Sequence, residues 1–72
     1  MATTLSNEDK LSIVGQHIKS LDFQIYGVEL DLVEANAVSP VDSEYIASLN
    51  ARLTPLQAKR TALINEQSSL TE

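Results

Sequence analysis

Few side chains in this sequence have types and spacings that could support chemistry. Asp31 and Glu34 stand three residues apart. On a helix they would share a face, an arrangement that can hold a cation. The set stops there, because no Glu-x-x-His follows and no Asp-rich loop with a central Gly is present. Solvated acids are the simpler account. His17, the single histidine, lies beside Ile18 with no acid or nucleophile at a working spacing. It reads as a partly covered side chain at the rim of a helical bundle. Gly15 and Gly27 are isolated within helical pattern, so neither belongs to a phosphate-cradling loop. Each costs about 1 kcal/mol relative to Ala in a helix, and isolated glycines of this kind suggest close helix approach. With no Cys there is neither a thiolate zinc site nor a disulfide framework. The expectation is no catalytic residue, no cofactor and no metal, hence no enzyme.

The elements that carry these residues follow from periodicity. The chain has 72 residues, 43% apolar and only 4% aromatic, with a net charge of −5. That is a single domain, residues 1–72. No apolar run approaches the length of a membrane span. The opening Met-Ala-Thr-Thr is neither basic nor followed by an apolar stretch, so no secretory signal is expected. Ser6 is a good helix N-cap, with Glu8 and Asp9 in the first turn where the helix dipole favours anions. From there Leu11, Val14, Ile18, Leu21, Ile25, Val28, Leu32 and Ala35 recur at 3-4 spacing. This is an unbroken heptad seam and predicts helix one over about 7–36. Asn36 suits a stop, since Asn tolerates the left-handed conformation of many helix ends.

Ser39-Pro40-Val41-Asp42 reads as a new N-terminus: Ser39 as cap, Pro40 at the first helical position, Asp42 as the acid of the first turn. The loop is then 36–39, and so short a connection returns helix two, about 40–70, antiparallel to helix one. Ile46, Leu49, Leu53, Leu56, Leu63 and Leu70 form its seam, with Arg60 and Gln67 at the intervening positions. Pro55 falls in the middle, where its missing N–H and its ring cost roughly 3 kcal/mol. The leucine phase continues across it, so a kink near Pro55 is expected in preference to a break. The fold class is all-α: an antiparallel, coiled-coil-like helical hairpin.

One hairpin has one seam and little interior, and chains below about 70–80 residues rarely stabilise themselves on a single core. Helix one carries a second apolar row, Phe23, Tyr26, Leu30 and Val33, spaced 3-4-3. At 100° per residue it lies about 140° around the helix from the seam. One partner helix cannot cover both rows. Three readings follow: isolated surface residues with Leu30 and Val33 covering the loop, docking on a different protein, or packing on a second copy. The third is preferred, two hairpins dimerising into a four-helix bundle of two-fold symmetry.

Charge is uneven. Asp22, Glu29, Asp31, Glu34, Asp42 and Glu44 fall in a stretch with no Lys or Arg, while Lys10, Lys19, Arg52, Lys59 and Arg60 lie toward the open end. Glu29, Asp31, Glu34, Asp42 and Glu44 form an acidic tip, read as a solubilising face, or as a docking surface for a basic partner or a mimic of nucleic-acid charge. Antiparallel pairing is expected to place Arg52 near Asp22. No basic stripe interleaved with aromatics is present to hold phosphates, so nucleic acid is not an expected partner.

The stretch Lys10-Leu11-Ser12-Ile13-Val14-Gly15-Gln16-His17-Ile18-Lys19-Ser20-Leu21 resembles small proteins of marine tailed phages of cyanobacteria. So do Leu32-Val33-Glu34-Ala35-Asn36-Ala37 and Ile46-Ala47-Ser48-Leu49-Asn50. The resemblance implies a phage-encoded accessory or virion-associated protein, located in the cytoplasm of a bacterial or phage-infected cell or in the virion. The functional expectation is a non-enzymatic interaction module whose partner is itself. The alternative is a small adaptor or inhibitor docking on a host or phage protein through the apolar row or the acidic tip.

Overall fold

The computed structural model describes residues 4–71. Two long helices, α1 (Asn7–Asn36) and α2 (Ser43–Thr71), pack against each other as an antiparallel hairpin. The arms are 30 and 29 residues long, and the molecule is a rod of 54 × 19 × 16 Å. Its radius of gyration is 16.5 Å, against about 11 Å for a globular domain of this length.

Ser6 begins α1 as its residue type suggests. Its hydroxyl accepts the Asp9 N–H at 3.1 Å, and its carbonyl accepts the Lys10 N–H at 3.0 Å. One otherwise unpaired donor of the first turn is thereby satisfied. The far end of α1 closes differently from the expectation. Asn36 stays helical, and its side-chain amide donates to the Leu32 carbonyl at 2.8 Å. The helix finishes on Ala37, right-handed at φ −81° and ψ −13°, whose N–H reaches the Glu34 carbonyl. No described residue adopts a left-handed conformation.

Helix α2 starts at Ser43, three residues later than the Ser39-Pro40 signal implies. Asp42 is the cap. Its carboxylate accepts the Tyr45 N–H at 3.1 Å and its carbonyl the Ile46 N–H at 3.0 Å. Asp ranks with Ser as a cap, and this start sets Glu44 in the first turn, where the helix dipole favours it. Pro40 instead belongs to the loop, residues 37–42. Pro55 lies inside α2, which runs through it as a single helix. The Thr54 hydroxyl folds back onto the Asn50 carbonyl one turn earlier.

The seam is where the periodicity places it. Leu11, Val14, Ile18, Leu21, Ile25, Val28, Leu32 and Ala35 are all buried or half-buried, facing Ile46, Leu49, Leu53, Leu56, Arg60, Leu63, Gln67 and Leu70. Among the described residues only Leu21, Val28 and Leu49 are buried, Leu49 completely. Two helices can enclose one line of side chains and no more. No buried side-chain polar atom among the described residues lacks a partner, so the hairpin is thin but internally consistent.

The later start of α2 resets the pairing register. The turn's midpoint lies two residues beyond the one expected from a 36–39 loop, so every α2 partner moves on by about a helical turn. Asp22 pairs with Arg60, Nε to Oδ1 at 2.6 Å, and not with Arg52 eight residues earlier; the displaced turn accounts for about half of that shift. Arg52 sits further toward the loop, lining a groove with Asp31 and Gln24.

Candidate interaction surface

The second apolar row is carried on the back of α1, away from α2. Within the hairpin Phe23 is 72% exposed, Tyr26 61%, Leu30 43% and Val33 66%. Lys19 and Asp22 border Phe23 and Tyr26 around a shallow hollow. The row thus has a charged margin at its end nearer the open end of the rod, and only Leu30, of its four members, is more than half covered.

The rod leaves a large surface uncovered. It exposes 5400 Å² in total, whereas a compact folded chain of 7.9 kDa exposes about 4400 Å² by the surface-area scaling of monomeric proteins. The excess of about 1000 Å² follows from the elongated shape. Scattered apolar side chains are ordinary on protein surfaces. Four large ones in register along one face are a patch, and patches of that kind mark contact sites.

The acidic tip is assembled only in part. Asp31, Glu34 and Asp42 surround one shallow hollow together with Val38, Pro40 and Tyr45. Glu29 and Glu44 are exposed and lie outside it. Asp42 already serves as the α2 cap. No group of three or more acids or histidines among the described residues is placed to hold a metal ion. Glu34 sits in the last turn of α1, which carries no base, so its charge opposes the helix dipole.

Val38, Val41 and Tyr45 are 62%, 50% and 43% exposed, and they give the tip an apolar character that charge counting alone misses. The signal was available as the Val-Ser-Pro-Val turn, but starting helix two at residue 40 absorbs Val41 into a helix and hides it.

His17 is exposed at the rim of a groove lined by Ser20, Leu21, Gln24, Lys59, Ala62 and Leu63. Gly15 and Gly27 do not mark close approach within the hairpin, because a Cβ added at either would meet nothing within 4 Å. Among the described residues no helix is long and apolar enough to cross a membrane. No protein-family model matches the chain, and no curated protein or solved structure matches it.

Proposed function

We propose that the protein is a non-enzymatic interaction module that self-associates through Phe23, Tyr26, Leu30 and Val33. The observation that carries this reading is the exposure of four large apolar side chains in helical register on a rod in which only three of the described residues are buried. Burying a side chain of this kind contributes about 1.5–3 kcal/mol. A second copy therefore supplies stabilisation that a hairpin of this size lacks. The role is mechanical: rigid helix faces are presented, with the acidic tip held at one end. An accessory or virion-associated place in a phage fits such a role.

Sedimentation of the wild type and of Phe23→Glu tests the reading. The wild type is expected to sediment as an oligomer at tens of micromolar, and the variant as a monomer of lower thermal stability. A wild type that is monomeric yet fully helical at that concentration overturns it.

The tip supports a second reading, an adaptor or inhibitor docking on a basic protein. Asp31, Glu34 and Asp42 around Val38 and Tyr45 combine charge with apolar area in one hollow. Salt-sensitive retention of a basic protein, lost when Glu29, Asp31 and Glu34 are neutralised, would favour it over self-association.

A further inference from the structure

Building on the self-association reading, we infer that the second copy docks antiparallel to the first, α1 against α1, about a two-fold axis level with Val28. The row's spacing is the same read in either direction, three, four, three. An antiparallel copy therefore keeps every layer in register, with Phe23 beside Val33 of the second copy and Tyr26 beside Leu30. Each layer pairs a large side chain with a smaller one, which is how facing positions interdigitate without voids. A parallel copy would set Phe23 on Phe23 and Val33 on Val33, overfilling one end of the row and underfilling the other.

Charge selects the same orientation. In heptad terms Glu29 and Glu34 flank the row on opposite sides, five residues apart. Parallel helices bring such flanks together, so each Glu29 would face a Glu34 and each Lys19, which continues the row, would face a Lys19. Antiparallel helices bring like flanks together. Lys19 then reaches Glu34 of the second copy, twice by symmetry, and the acidic tip of each rod lies beside the more basic part of the other. Glu29 against its own copy remains the one like-charge approach near the axis.

The same geometry gives the assembly its shape. The row lies about 140° from the seam, so the second copy sits nearly opposite α2. The order across the dimer is α2, α1, α1, α2, close to a single layer. The square four-helix bundle expected from the sequence would need the two apolar faces about a right angle apart, so the proposed two-fold dimer is a flatter arrangement.

A nitroxide on Ser12→Cys, in a chain that has no other Cys, reads the orientation directly. Ser12 is exposed and lies sixteen residues from the proposed axis, so antiparallel copies place the two labels about 48 Å apart at 1.5 Å per residue. Parallel copies place them within about 20 Å, side by side on adjacent helices. A distance near the longer value supports the inference. A short one overturns the orientation while leaving self-association intact. No dipolar coupling, with sedimentation of the same labelled sample showing monomer, removes self-association itself. The charge test is independent of any label. Glu34→Lys is expected to weaken dimerisation severalfold, and adding Lys19→Glu to restore it. Tighter association of Glu34→Lys alone, through Glu29 of a parallel copy, would overturn the antiparallel arrangement.

Discussion

Arg60 Nε donates to Asp22 Oδ1 at 2.6 Å, joining side chains 38 residues apart in the chain across the two helices. Arg60 occupies a seam position that the heptad would fill with an apolar residue, and the pair remains 40% and 50% exposed. An ion pair so open to solvent contributes at most about 1 kcal/mol. An aliphatic group at the same place would add comparable or greater burial. Arg60→Leu is therefore expected to match or raise stability by about 1 kcal/mol in urea unfolding, with Asp22 returning to water. A loss larger than that would mean the pair sets the register of the hairpin.

The start of α2 separates two candidate caps. Asp42→Ala should cost about 1 kcal/mol, because the Tyr45 N–H loses its acceptor. Ser39→Ala should leave the unfolding midpoint unchanged, since α2 begins four residues further on. Equal losses in both variants would contradict the observed start.

These two residues also show how far the sequence was legible. The heptad seam could be read in full, including Arg60 and Gln67 as polar members, because burial between two helices follows from a 3-4 spacing that only side-chain type determines. The loop could not. Ser39-Pro40 and Asp42 are both sound helix starts within four residues, and local preference does not choose between them. The error then propagated. The expected partner of Asp22, Arg52, lies about two helical turns from the true one, Arg60, and the displaced turn accounts for about half of that distance. The exposed row was legible as a pattern, whereas the apolar side of the tip depended on the loop and was missed with it.

Pro55 sits within α2, where it leaves the Ala51 carbonyl without its usual donor four residues on. Pro55→Ala restores that bond and removes the ring. The expected gain is about 1–3 kcal/mol, seen as a higher denaturation midpoint with unchanged helical content at the start. A destabilised variant would show that the proline fits a conformation the seam requires.

Gly15 and Gly27 have open space where a Cβ would stand. Alanine at either position should raise stability by about 0.4–1 kcal/mol, mostly by narrowing the unfolded ensemble. The two effects should add, since the sites are twelve residues apart on one helix. Destabilisation at Gly27, measured where the protein is dimeric, would reveal a close neighbour from a second copy.

Among the described residues Leu49 is the one side chain with no exposure at all. Leu49→Ala should cost about 2–5 kcal/mol, a large share of what a chain of this length commands. Circular dichroism should show the loss of most helical signal on modest warming. A change below about 1 kcal/mol would mean the hairpin collapses around the gap.

Asn7 and Leu70 meet at one end of the rod, the Asn7 amide reaching the Leu70 carbonyl at 3.5 Å. Tension applied to the two chain ends therefore peels the helices apart from that end, opening one heptad layer after another toward the tip. The load is never shared across the whole seam at once. Such an object resists compression along its axis but yields to pulling at low force.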